Sequence, residues 1–450
     1  MATARSPWPD DPLPELARRA SDRPIVILDD DPTGTQTLRD VTVMTTWDGD
    51  AIARHLHEPA LFLSTNSRAL DQNAAVEVTT AAARSAREAG AMVGRPISLA
   101  SRSDSTLRGH FPAEVLAIGP PDARLILAPY FGEGGRLTVG GVHVLVRDGN
   151  RVNVADTEFA RDATFGYRAR DLHEWVVERY AAADLPAPAV TGLRLALIRR
   201  SGPDGVAAAL LGLPPGAVAV ADAEVDRDIE VVALGALIAE EAGLPLVART
   251  AASYVRARAG RAPAPLLRPD ELEPAGPGLI VVGSHVELTT RQLVALRDGE
   301  SWAGIVEVEL AVGPLVDGGA EARAVVADAA GRLDAALDTG RIGLVSTERT
   351  RRDVGLEGGR AIAAALVTVV KRIQIRPGWV VGKGGITSHQ IAARALGMRE
   401  ARVAGQLLPG VPVWIGGPTS RWPGLPLVVF PGNTGGEGAL HDIVAMLAAQ

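Results

Sequence analysis

The chain has 450 residues, 47% of them hydrophobic and 22% charged, with 46 basic against 53 acidic side chains and a formal net charge of −7. That length fits two or three domains whose cores need no covalent staples. The absence of cysteine excludes disulfides and thiolate metal sites, and the acidic balance argues against a general nucleic-acid binder.

No apolar run reaches the roughly 18 residues that a membrane span needs. The opening MATARSPWPDDPLPELARR has no apolar core of a signal peptide, so a cytoplasmic enzyme is the expectation. In chain order, short apolar runs alternate with helical stretches, and a polar cluster follows each run. Ile25-Val26-Ile27-Leu28 leads into DDDPTGTQT. Leu61-Phe62-Leu63 leads into STNSR and then an Ala-rich helix over about 73–89. Ile97-Ser98-Leu99-Ala100 leads into SRSDSTLRGH and a helix from near Pro112. Leu125-Ile126-Leu127-Ala128 leads into PYFGEGGRLTVGG, and 217–220 into ADAEVDRD. Strands alternating with helices predict an α/β fold with mainly parallel sheets covered on both faces. Ligands of such sheets bind beyond the carboxyl ends of the strands, so these polar clusters are expected to converge.

Residues 259–278 (AGRAPAPLLRPDELEPAGPG) read as a linker. The alternation then restarts. Leu279-Ile280-Val281-Val282 leads into GSHVELTTRQ, 342–345 into STERT, Trp379-Val380-Val381 into GKGGITSHQ, and Leu427-Val428-Val429-Phe430 into PGNTGGEGAL. Two α/β domains are therefore expected, residues 1–258 and 279–450.

Three carboxylates at one strand end, Asp29, Asp30 and Asp31, repel one another unless cations or hydroxyl donors intervene. They suit a general base for a hydroxyl, or Mg²⁺. A helix-capping turn would need only one of them. Arg102, Asp104, Ser105 and Arg108 form a second cluster, fit for a carboxylate and for sugar hydroxyls. Arg68 and Arg136 lie in weaker clusters of the same kind.

In the second half, Gly382-Lys383-Gly384-Gly385-Ile386-Thr387 lies between a strand and a helix. Backbone N–H groups of such a turn bind phosphate. It contains one of the chain's two lysines. It is neither a Walker A loop nor a dinucleotide fingerprint. Gly432-Asn433-Thr434-Gly435 and Gly283-Ser284 are further loops of this kind. The eight histidines show no metal-ligand spacing.

At these residues the chain resembles the four-carbon acid sugar kinase family, the 3-oxo-tetronate, D-threonate and D-erythronate kinases. The matching motifs are Asp30-Asp31-Pro32-Thr33-Gly34, the DSTLRG run at 104–109, GRLTVGG at 135–141, Gly283-Ser284 with Thr289-x-Arg291-Gln292, and the glycine loops at 384 and 432. The resemblance implies a sugar-acid-binding first domain, an ATP-binding second domain, and an active site in the cleft between them. It implies ATP and Mg²⁺ as the species used, and transfer to the terminal hydroxyl of a four-carbon or branched five-carbon acid sugar. Asp30 and Asp31 would be catalytic. Arg68, Arg102, Asp104, Ser105, Arg108 and Arg136 would bind substrate. Ser284, Gly382, Lys383, Gly384, Gly385, Thr387, Gly432, Asn433 and Gly435 would bind ATP. No residue is assigned to a metal. Phe430 and Ile386 stand where much of the family has a lysine and an acidic residue, and Lys383 would compensate. Nucleic acid and membrane are not expected as partners, and a homodimer is compatible with the sequence. Two other readings remain open. One is a haloacid-dehalogenase-like phosphatase with Asp29 as nucleophile, since DDDPT fits Asp-x-Asp-x-Thr. The other is a non-catalytic sugar-acid sensor.

Overall fold

A computed structural model describes residues 6–147, 149–349 and 355–449. The chain forms two compact units, the first of residues 1–42 and 47–263 and the second of 43–46 and 264–450. The stretch expected to be a linker is packed from its middle onward. Leu267 and Leu272 are buried in the core of the second unit, and the Leu267 N–H donates to Gln406 O at 2.6 Å. Its last residue, Gly278, already begins a strand.

The strands β1 (Ile25–Asp29), β2 (Val41–Met44), β3 (Ala60–Ser64), β4 (Ser98–Arg102) and β5 (Arg124–Ala128) come first. Then follow β6 (Arg136–Val139), β7 (Val142–Arg147), β8 (Asn150–Asn153), β9 (Val190–Leu193), β10 (Val218–Ala221) and β11 (Leu246–Thr250). In the first unit, seven of these run parallel in the order β3-β1-β4-β11-β5-β10-β9. Every residue of β1, β3 and β4 is buried, as expected of parallel strands covered on both faces. One cover is the helix Gln72–Met92, whose buried Ala75, Thr79, Ala82, Ala83, Ala86 and Ala89 fall at helical spacing. Its first turn is closed by the Asp71 carboxylate, which accepts from the Ala74 N–H.

Register fixes where the polar clusters stand. Asp29 pairs with Ser64 of β3 and Arg102 of β4, and Arg102 pairs with Thr250 of β11. The four residues form one row across adjacent strands, and the chain leaves the sheet just beyond it. β1 is where the connections diverge, to β3 on one side and β4 on the other, which is the crevice position of open α/β sheets. β6, β7 and β8 form a separate antiparallel ribbon. GRLTVGG, which follows a strand in sequence as a Gly-rich stretch, builds β6 and the turn after it, and Arg136 stands on β6.

The second unit holds β12 (Gly278–Val282), β13 (Ile305–Leu310), β14 (Ile342–Thr347), β15 (Trp379–Lys383), β16 (Glu400–Leu408), β17 (Val411–Gly416) and β18 (Pro426–Phe430). Their order is β13-β14-β12-β15-β18-β17-β16. The first five are parallel, and β17 and β16 continue antiparallel. Val282, Lys383 and Phe430 share a row. The helix expected to follow Thr387 begins earlier, at Gly385, and passes into a π-helical turn over Ile391–Ala395.

Candidate active site

In the first unit, three arginines face four acids at the ends of β1, β3 and β4. Arg68 follows β3 in the turn Ser67–Ala69. Its guanidinium lies 2.5 Å from Asp31, 3.5 Å from Asp30 and 3.7 Å from Asp104. Arg102, buried at the end of β4, reaches Asp29 at 3.3 Å and Asp30 at 3.9 Å. Arg108 donates to Asp104 at 2.7 Å and stands 3.8 Å from Asp162. The Thr106 hydroxyl also donates to Asp104.

These contacts give the carboxylates different acidities. Burial pushes Asp29 up to about 8, against the pull of Arg102. Burial likewise pushes Asp30 up to about 7, against Arg68 and Arg102. Burial would raise Asp31 too, but the Arg68 guanidinium and two hydrogen bonds from Thr33 hold it below the ordinary carboxylate range. Asp104 is held well below that range, burial being outweighed by Arg108, Arg68 and the Thr106 hydroxyl. A carboxylate poised near neutrality suits proton transfer, and a firmly ionised one suits the holding of cations and hydroxyls. Neither oxygen of Asp30 has a hydrogen-bond partner.

Asp29 is fully buried, and a Cβ on Gly34 would fall 2.1 Å from its carboxylate. It lies beneath the Gly34 turn and is not presented as a nucleophile, which counts against the phosphatase reading. Ser105 is buried, and its carbonyl accepts from His143 Nε2 at 2.8 Å. Burial pulls His143 down to about 4, so it is neutral at pH 7. Arg136 packs over the Phe131 ring, and its charge is felt by Asp104 and Arg108.

Two groups at this site have no counterpart in the sequence reading. Glu114, on the helix Ala113–Ile118, accepts from Ser67 Oγ at 2.5 Å, beside Arg68. Arg249, on β11, donates to Arg108 O at 3.1 Å. The signal for Arg249 was the apolar run Leu246-Val247-Ala248 ending in Arg-Thr. The signal for Glu114 was an acid in the first turn of a helix just after DSTLRG.

In the second unit, the glycine loops interdigitate. A Cβ on Gly432 would meet Ser284 Oγ at 2.4 Å, one on Gly283 would meet Thr387 Oγ1 at 2.3 Å, and one on Gly384 would meet Ser284 Cβ at 3.2 Å. Thr289 Oγ1 donates to Gly432 O at 3.0 Å, and Gln292 Nε2 donates to Thr434 O and Gly436 O. Gly384 has φ +115° and Gly435 has φ +80°, conformations costly for other residues. Ser284, Gly385 and Thr387 are half-buried, and Asn433 is exposed.

Gly382 and Lys383 are strand residues rather than loop residues. Gly382 has no room for a Cβ because Ser388 Oγ lies 2.8 Å away. The Lys383 side chain is fully buried beneath the loop. Its Nζ donates to Pro431 O at 2.6 Å and stands 3.5 Å over the Phe430 ring. Strand pairing continues through Lys383, which turns the side chain inward. The lysine expected to compensate for Phe430 is thus a buried strand residue standing against that phenylalanine. Burial pulls it down to about 7. Thr350 of the STERT segment lies outside the described residues. Among the described residues, no helix is long and apolar enough to cross a membrane.

A crevice lined by arginines and carboxylates on one α/β unit, and a cluster of glycine loops on the other, define the class: a two-unit α/β protein with a polar strand-end cluster in each unit. Residues 25–258 match the model of a sugar-binding N-terminal domain, and residues 279–440 that of a nucleotide-binding C-terminal domain. The chain is 30% identical over 361 residues to a D-threonate kinase of Cupriavidus necator, covering 76% of this chain and 78% of the relative. The chain belongs to the four-carbon acid sugar kinase family. Its fold is that of two solved structures, each 17% identical. A Haemophilus influenzae protein of the DUF1537 family matches with TM-score 0.63, covering 94% of this chain and 100% of that one. A Salmonella typhimurium protein described as a putative tRNA synthase matches with TM-score 0.67, covering 93% and 98%.

Proposed function

We propose that the protein is an ATP-dependent kinase acting on the terminal hydroxyl of a small acid sugar, of four carbons or a branched five. The observation that carries this is Asp30: a buried carboxylate just beyond β1, without a hydrogen bond, poised near neutrality, and flanked by Arg68 and Arg102. Asp30 accepts the hydroxyl proton as the oxygen attacks the terminal phosphorus and ADP departs. Asp31 and Asp104 stay ionised and hold Arg68 and Arg108 in place. These arginines, with Arg136, face the acid's carboxylate and hydroxyls. The backbone of the glycine loops holds the phosphates, so catalysis is positioning and charge stabilisation.

Magnesium enters as the companion of the nucleotide. The described residues offer no cluster of three acidic or imidazole groups to hold it, and Asp30 and Asp31 are already faced by arginines. Among the described residues the side chains form no cation cage, so the ion's ligands would be phosphate oxygens and water.

The test is ADP release, coupled to a dehydrogenase, against a panel of tetronates and branched five-carbon sugar acids, with ³¹P NMR to locate the ester. Turnover with one of these acids, phosphorylated at its terminal oxygen, is the expected result. Acid binding with no ADP release from any of them would instead favour the sensor.

A further inference from the structure

On β11, away from every motif that marks the site in the sequence, Arg249 is 2% exposed. One edge of its guanidinium donates to Arg108 O, while Nη1 has no partner. Its face lies over Trp175 and Phe111, with centroid distances of 5.2 and 5.6 Å. A buried guanidinium needs counter-charge as well as bonds. Gly109 shows where that charge stands. With φ +127° it leaves a gap, and a Cβ built there would meet Asp30 Oδ2 at 3.2 Å and Arg249 Nη2 at 3.7 Å. Asp30 and Arg249 thus both stand within 4 Å of the same point, with Ser103 Cβ beside them at 3.9 Å.

We propose that Arg249 is a positioning residue of this site, holding the backbone of the 107–109 loop and supplying charge to Asp30 from a third side across the Gly109 gap. The inference rests on the kinase reading for its consequence, but not for its test. The loop it holds is conformationally costly, with Leu107 at φ +75° as well as Gly109. Other charged groups also face Asp30: Asp29 and Asp31 from its own segment, Arg68 from the turn after β3, Arg102 from β4, and Glu114 from the helix Ala113–Ile118. Arg68 and Arg102 are the larger counter-charges. Burial pulls Arg249 down to about 10, with Asp30, Asp104 and Glu114 drawing it back up. Arg249 remains charged throughout the working range.

A double-mutant cycle read by thermal melting tests this without any substrate. The four proteins are the wild type, R249M, D30N and R249M/D30N, each full-length, melted at pH 5 and pH 8.5. At pH 8.5, R249M leaves a buried carboxylate short of charge. It should then melt lower by about 3 °C or more, and D30N should restore most of that loss. At pH 5, where Asp30 is already protonated, the two changes should add. R249K keeps the charge and should follow the wild-type melting profile across pH. Should R249M fail to fold at pH 8.5, a cooperative melt regained in R249M/D30N supports the pairing. Additive effects at both pH values, or no recovery on adding D30N, overturn it. In the active enzyme, R249M should move the acid limb of kcat/KM to higher pH, and R249K should leave it in place. A wild type inactive against every acid would sink the kinase reading and leave the melting cycle intact.

Discussion

Asp29, Asp30 and Asp31 are neighbours in sequence, yet only Asp31 receives a guanidinium at 2.5 Å and two bonds from Thr33. Neither oxygen of Asp30 takes part in a hydrogen bond, and its guanidinium neighbours stand at 3.5 and 3.9 Å. The proposed base is therefore Asp30, and turnover should climb with pH through about 7 as it ionises. Asp30→Asn should lower kcat by about 100- to 10,000-fold while the acid still shifts the melting curve. A pH–rate profile and a thermal shift on the same protein check this; an Asn variant with near-native turnover would remove Asp30 from the role. Stability has the opposite dependence. The folded-state value of Asp30 lies above that of an unfolded aspartate, about 3.9. Its contribution is complete below that value and is lost as pH rises through about 7. Asp31 and Asp104 act in the other direction, losing their contribution only in acid. Denaturant unfolding of Asp30→Asn at pH 5 and pH 8 should show a smaller decline than the wild type. Gly34 is a residue-scale constraint of another kind. Gly34→Ala puts a methyl group 2.1 Å from the Asp29 carboxylate. It should cost about 1–3 kcal/mol in urea melts.

Among the elements, the strand-end clusters were legible because each buried parallel strand is a short apolar run with polar residues directly after it. DSTLRG and the glycine loops could be read in the same way. β11 carries the same signal in Leu246-Val247-Ala248 followed by Arg249-Thr250, but nothing local says that an arginine there is buried. The ribbon β6–β8 reads as a Gly-rich loop until partners from later in the chain supply its hydrogen bonds. β13, Ile-Val-Glu-Val-Glu-Leu, alternates as an edge strand and lacks the continuous apolar run. Lys383 differs from the loop position that its neighbouring glycines suggest, because pairing with Val282 and Phe430 carries the strand two residues past Val381. The meeting of the second unit's loops is itself testable. Gly432→Ala would drive a methyl group into Ser284 Oγ at 2.4 Å. It should weaken nucleotide binding by about tenfold, roughly 1.4 kcal/mol. The dissociation constant for ATP, measured by calorimetry without the sugar acid, checks it. Unchanged affinity would show that Ser284 and the 432 loop do not form one cradle.

At the scale of the whole molecule, the division of the chain is not a single cut. Residues 43–46 are grouped with the second unit, although the first unit surrounds them in sequence. Val43 and Met44 are buried, and Thr45 donates through its N–H to Arg399 O at 3.0 Å and through its hydroxyl to Met398 O at 2.7 Å. No composition shift marks so short a segment, so a sequence reading that places one boundary near residue 260 misses it. A fragment of residues 264–450 would keep its own parallel core but lose this covering next to β16, leaving an uncovered strand edge. Such a fragment should melt lower and associate more readily than one to which residues 41–48 are joined through a flexible linker. Melting followed by circular dichroism, with sedimentation to read association, compares the two directly. Equal melting and equal association would mean that the 43–46 segment adds nothing to the second unit. A higher melting point with the segment attached would show that part of the nucleotide-binding domain's stability is encoded more than two hundred residues before the domain begins.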